Sequence, residues 1–142
     1  VSTPTSGKPL AVEVAIPIRT YDIDYAGIVS NIVYVRWLED LRLHSLAIHF
    51  PLEAQIAQGI GPILIKTEIE YKRPLRLFDQ PLGRMWIAEY GKTSFSLAAE
   101  FVVGETLHAV ARQTGCFVNQ TLRPIPIPPE LLSKFQAAEA AL

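Results

Sequence analysis

Apolar and polar positions change their period along this chain, and the changes mark its elements. Val12, Val14, Ile16 and Ile18 alternate with Glu13 and Arg19 over residues 11–19, the two-residue period of a strand. Pro17 places that strand at an edge or a bulge. Residues 31–48 switch to helical spacing. Tyr34, Leu38, Leu41, Ser45 and Ile48 share one stripe, which Trp37 widens, while Arg36, Asp40 and His44 form a polar stripe at i, i+4. His44 reads as a partner of Asp40, and Ser30 or Asn31 can cap the helix start. The helix is apolar on more than one face, so a large surface should wrap it.

Pro51 ends that region, and residues 52–59 predict a short helix stopped by Gly59. The period then returns to two. Ile63, Ile65, Thr67, Ile69 and Tyr71 alternate with Lys66, Glu68, Glu70 and Lys72 until Pro74 breaks the run. Residues 82–90 predict the next strand, and Gly91-Lys92-Thr93 a turn. Phe95, Leu97, Ala99, Phe101 and Val103 form the inward face of a third, and Gly104-Glu105 turns into a last strand over about 107–119. Pro124, Pro126, Pro128 and Pro129 predict an extended segment, and residues 129–142 a helix with Pro129 near its start. A strand, a long helix and four further strands read as an antiparallel meander curved around the helix, a two-layer α+β architecture.

Composition narrows the class. A chain of 142 residues suits one domain, here residues 11–142 after a flexible tail over 1–10. Its 49% hydrophobic content argues against disorder. A net charge of −1 leaves no basic footprint for nucleic acid. The single cysteine, Cys116, provides no disulfide framework and fits a reducing compartment, so a cytoplasmic protein is expected. It reads as a small core residue of its strand. His44, His49 and His108 lack metal-type spacing with it, so no metal site is expected. No apolar run approaches the ~18 residues of a membrane span. No basic-then-apolar signal pattern opens the sequence, and a start at Val1 leaves room for processing ahead of it.

Candidate chemistry gathers in Tyr21–Arg42, YDIDYAGIVSNIVYVRWLEDLR. Asp22 and Asp24 precede a turn containing Gly27, and the long helix follows directly. A helix N-terminus carries unpaired N–H groups and partial positive charge. A carboxylate beside it outlines a nucleophile or base next to an oxyanion site.

The block D-x-D-x-x-G-x-V followed by Y-x-x-W-x-E-x-x-R comprises Asp22, Asp24, Gly27, Val29, Tyr34, Trp37, Glu39 and Arg42. With the strand order, the length and the ending ARQTGCFVNQTLRPIPIPPEL, it resembles the hotdog-fold acyl-CoA thioesterases of the 4-hydroxybenzoyl-CoA thioesterase type, over about residues 11–132. The resemblance implies a curved antiparallel sheet around a central helix. It implies Asp24 as the catalytic carboxylate, attacking the thioester carbonyl or activating a water, and the backbone N–H near the helix start, at Asn31, as oxyanion donor. No metal or other cofactor would be needed. It also implies edge-to-edge pairing, with active sites at the interface of a homodimer or homotetramer.

Other residues carry paired readings. Asp22 reads as a cap of the loop or as a like-charged neighbour of Asp24. Gly27 supplies a φ that other residues resist, or lets the thioester approach the backbone; Tyr25 and Ile28 flank it as candidate substrate contacts. Tyr34 and Trp37 read as core first and acyl-pocket wall second. Glu39 is an alternative catalytic carboxylate, or a partner of Arg42 at i, i+3. The resemblance puts coenzyme A phosphate contacts at Lys92, Thr93 and Ser94, where the basic cluster is thinner than in related sequences. Lys72, Arg73, Arg76 and Arg123 are further cations, each also readable as a solvated surface charge. Ile63, Ile65 and Trp86 line an acyl pocket or are plain core. Two other functions compete: hydrolysis of thioesters on acyl-carrier protein, for which Lys72–Arg76 offers a basic surface, and a non-catalytic acyl-binding module.

Overall fold

The computed structural model describes residues 8–141, which form six strands and three α-helices. The strands are β1 (Val12–Ala15), β2 (Ile60–Tyr71), β3 (Leu82–Tyr90), β4 (Ser94–Val103), β5 (Thr106–Asn119) and β6 (Pro124–Ile125). The α-helices are α1 (Asn31–His49), α2 (Leu52–Ala57) and α3 (Pro129–Ala140), and a 3-10 turn covers Thr20–Asp22. All strand pairs are antiparallel, in the order β1-β3-β4-β5-β2, with β6 against β5. The sheet curves around α1 as a hotdog fold.

The expected four-strand meander is corrected. Only β3, β4 and β5 follow one another as hairpins; β2 lies beyond β5, at the opposite edge from β1. The reason is the 72–81 connection. Pro74 and Pro81 keep it from a tight hairpin, and Leu75, fully buried, pins it under the start of α1. The His108 ring nitrogen Nδ1 lies 3.2 Å from the Pro74 carbonyl, and the Lys72 and Arg73 N–H groups donate to the His108 carbonyl. β1 is also shorter than the alternation predicts. It stops at Ala15, and Ile16 N–H donates to Pro81 O. Of the stretch expected to be a flexible tail, residues 1–7 lie outside the described residues. Pro9 O accepts from Ile87 N–H, Leu10 packs on the core, and Lys8 lies over Trp86.

The core sits between the sheet and one face of α1. Val33, Tyr34, Trp37, Leu38 and Leu41 are buried there, against Phe95, Leu97, Ala99 and Phe101 of β4. Burial of each large side chain is worth about 1.5–3 kcal/mol. The second apolar face of α1 is not wrapped: Ile32, Val35 and Leu43 stay exposed, and Ile48, expected on the buried stripe, is exposed too at the helix end. Beside it runs the free edge of β2, where Ile63, Leu64 and Ile65 are also exposed. A bulge between Leu64 and Lys66 leaves Ile65 without a partner in the ladder and resets the strand's phase. Thr67, Ile69 and Tyr71 then face inward as expected, and Ile65 does not.

Two expected side-chain pairs are also corrected. Arg42 forms no ion pair with Glu39; its Nη1 donates instead to Gln113 Oε1 at 2.7 Å. Gln113 is buried and its Nε2 donates to Thr67 Oγ1, so the chain ties α1 to β5 and β2. Burial pulls the Arg42 guanidinium below its ordinary range, and the nearby Glu39 charge opposes that. His44 does not pair with Asp40, and its Nε2 is buried without a partner among the described residues.

Candidate active site

Asp22 and Asp24 are separated by what the chain does around them. Asp22 is buried in the 3-10 turn, where its Oδ2 accepts the Arg19 N–H at 2.8 Å and its carbonyl accepts the Ser30 N–H. It is a cap, as one of its two readings held. Asp24 opens a tight loop. Its N–H donates to Ile28 O, its carbonyl accepts from Gly27 N–H, and Ile23 bridges Val29 behind it. Gly27 closes the turn with φ +79°, and nothing stands within 4 Å of where its Cβ would be. The glycine therefore answers to backbone conformation rather than crowding within this chain.

The Asp24 side chain is oriented by its own loop. Oδ1 accepts the Ala26 N–H at 2.8 Å, an Asx turn, while Oδ2 has no partner among the described residues. One carboxylate oxygen is fixed and the other is free to act. Val29 N–H donates to Leu75 O, fixing the loop's exit to the buried Leu75.

The helix start next to it is left open. Ser30 makes no side-chain cap, and α1 has no acidic residue in its first turn. Among the described residues the Asn31 and Ile32 N–H groups find no acceptor, whereas Val33 N–H donates to Ser30 O. Such donors, with the helix dipole behind them, suit a developing negative charge. Tyr71 Oη donates to the Asn31 carbonyl at 2.9 Å and steadies this first residue.

The remaining predicted residues are spread out. Tyr25 is fully exposed at the loop tip, and Ile28 is half-buried. Tyr34 is 2% exposed, packed edge-on against Trp37, Tyr71 and Phe101. It is a core residue, and burial pushes its phenol up to about 12, with the neighbouring Tyr71 adding to the shift. Lys92 is exposed, and Thr93 and Ser94 half-buried, in the β3–β4 turn. There Phe117 N–H donates to Thr93 O and Ser94 pairs with Cys116.

That turn lies at the far end of the sheet from Asp24. Tyr71, at the helix start, pairs with Ala109, which pairs with Phe101. From Ser94 to Phe101 along β4 is about 23 Å at ~3.3 Å per residue. Within one chain Asp24 and Lys92–Ser94 do not meet. Lys72, Arg73 and Arg76, by contrast, are exposed on the connection beside the Asp24 loop, with Lys72 paired to Glu70 at 3.4 Å.

A cavity of about 250 Å³ opens at the Lys92 end, between the second half of α1, the sheet and α3. Of the three residues read as acyl-pocket wall or plain core, Ile63 lines this cavity and Ile65 and Trp86 do not. Sequence reasoning did not find its other walls. Leu131 and Phe135 of α3 carried the one available signal, an apolar i, i+4 pair in a helix otherwise short of large side chains.

Residues 18–135 match the thioesterase-like superfamily. The chain belongs to that superfamily. This member is 26% identical over 125 residues to the acyl-CoA thioester hydrolase YbgC of Escherichia coli O6:H1, covering 84% of this chain and 93% of the relative. Among solved structures it superposes on a gentisyl-coenzyme A thioesterase with TM-score 0.78 and 26% identity, covering 84% of this chain and 98% of that one. A hypothetical protein of Aquifex aeolicus gives TM-score 0.81 at 24% identity, over 87% and 98% of the two chains, and shares the fold. For this superfamily member no described helix is long and apolar enough to cross a membrane.

Proposed function

We propose that this superfamily member hydrolyses acyl-CoA thioesters, with Asp24 as nucleophile or general base and the Asn31 N–H as oxyanion donor. The observation that carries the reading is the pairing of a carboxylate with one free oxygen and a helix start with unsatisfied N–H groups, in a chain of thioesterase kinship. Attack on the thioester carbonyl builds charge on its oxygen, which the helix start stabilises only as the charge appears. The two routes differ in whether Asp24 forms an anhydride with the acyl group or takes a proton from water.

The working unit is a homodimer. Its support is the uncovered apolar face of α1 beside the free edge of β2, together with a site divided between the ends of one sheet. Pairing β2 antiparallel with a second copy about its middle brings the Tyr71 end of one chain to the Ile60 end of the other. The Asp24 loop of one copy then faces Lys92–Ser94 and the cavity of its neighbour.

Free-thiol release from a panel of acyl-CoA thioesters tests the chemistry. Asp24→Asn is expected to lower kcat about 10²–10⁴-fold while the fold is retained. Equal turnover by both proteins removes Asp24 from the mechanism and points to Glu39. A second reading, hydrolysis on acyl-carrier protein, is favoured by the exposed Arg73 and Arg76 beside the Asp24 loop, which an acidic carrier could use. Carrier thioesters preferred over CoA thioesters would support it.

A further inference from the structure

The cavity at the Lys92 end has walls of distinct origin. Phe95 and Phe117 form its floor on the sheet, with ring centroids 5.4 Å apart. Leu46 of α1 roofs it, Ile63 lies at its β2 edge, and Leu131 and Phe135 of α3 close its end. Its β2 edge is the strand along which the proposed dimer pairs, so in that dimer this edge meets the Asp24 loop of the other copy.

We propose that this cavity holds the acyl group of the substrate, an uncharged group of no more than about ten carbons, and that α3 sets the limit. The inference rests on the thioesterase reading above. Size follows from scale: a dry cavity of about 150 Å³ accepts benzene, so the roughly 250 Å³ here takes about eight to ten carbons. An uncharged group suits the walls, which are mostly aliphatic and aromatic; the ionisable side chains among them are Glu39, His49 and Arg42, whose Nη1 donates to Gln113.

The limit is set by α3 because polar ties hold that helix in place. Lys134 Nζ donates to the His49 carbonyl at the end of α1. Tyr90 Oη donates to Glu139 at 3.0 Å, and Gln58 Nε2 to Glu130 at 3.1 Å. The Phe135 ring rests on Tyr90 at 5.1 Å and is buried. An acyl chain that outgrows the cavity must displace this ring, and that displacement discriminates against the longer chain.

The test is kcat/KM by thiol release from straight-chain acyl-CoAs of increasing length, for wild type and Phe135→Ala. Wild type is expected to prefer octanoyl- over palmitoyl-CoA by about ten-fold or more, and the variant to lower that ratio by about ten-fold. A wild-type ratio near one, or a ratio unmoved in the variant, overturns the inference. Should circular dichroism show Phe135→Ala unfolded, Leu46→Phe carries the test: it fills the cavity from the helix side and must move the preference to shorter chains. If wild type releases no thiol from any thioester, the thioesterase reading fails. The cavity is then judged by calorimetric binding of octanoyl- and palmitoyl-CoA to the same proteins, where an unchanged ratio overturns it.

Discussion

The two ends of the sheet use the same helix differently. At the Asp24 end Tyr34, Trp37, Tyr71 and Phe101 meet ring to ring at 5.0–5.7 Å, and the core is solid. At the Lys92 end Phe95 and Phe117 also meet, but the space above them stays open as the cavity. The rigid end positions a short carboxylate loop and a helix start; the hollow end leaves the space assigned above to an acyl group. The dimer proposed above joins the rigid end of one copy to the hollow end of the other.

The largest effect that can break this comparison is complementation. Asp24→Asn disables the rigid end, and Leu46→Trp blocks the hollow end. In a twofold dimer that shares its sites, subunit exchange between the two dead proteins restores one intact site per hybrid. Random exchange makes half the dimers hybrids, so about a quarter of wild-type turnover is expected. No recovery, with exchange verified by mass spectrometry, would mean that each chain completes its own site.

A smaller effect probes the rigid end alone. The Tyr34 phenol is raised to about 12 by burial first and Tyr71 second. Below pH 10 the folded and unfolded chains both hold it neutral, and its packing counts in full. Between pH 10 and 12 the unfolded chain releases the proton and the folded chain does not. Stability then falls by about 3 kcal/mol across that window. Urea titrations of wild type and Tyr34→Phe should diverge there, the variant showing the shallower loss. Parallel curves would detach the alkaline limit from this cluster.

The smallest effect belongs to the hollow end. A Cβ on Gly115 would lie 2.4 Å from the Ile63 carbonyl oxygen and 2.8 Å from the Phe95 ring. Gly115→Ala should cost about 1–3 kcal/mol by overpacking, read as a lower urea midpoint. It should also disturb octanoyl-CoA turnover, since Phe95 is the cavity floor. An unchanged midpoint would show that β2 and β5 separate there more easily than their register suggests.

Much of this was legible in periodicity and little of it in pairing. The 3.6-residue stripe on α1 and the alternation of β4 each name a face, and Tyr34, Leu38, Leu41, Phe95, Leu97 and Phe101 are buried as read. The order of strands is a long-range property, and the 72–81 crossing left only two prolines as its mark. A single bulge at Ile65 broke an otherwise regular alternation: one extra residue shifts the phase between the two halves of β2, so Thr67, Ile69 and Tyr71 keep the expected face and Ile65 does not. The i, i+3 and i, i+4 charges were sound as spacing, yet Arg42 found a buried amide, Gln113, seventy-one positions away. The Asp24 loop was visible as a motif; the distance separating it from Lys92 was not, since motifs carry no coordinates.

The backbone around Lys92 joins these two stories. Ile127 N–H donates to the Lys92 carbonyl at 2.9 Å, and Ile127 leads straight into α3. The loop expected to greet the nucleotide head of a substrate and the plug expected to gauge its tail thus share one length of main chain. A grip at one end is felt at the other, so head-group affinity and chain-length choice should drift together as this segment changes.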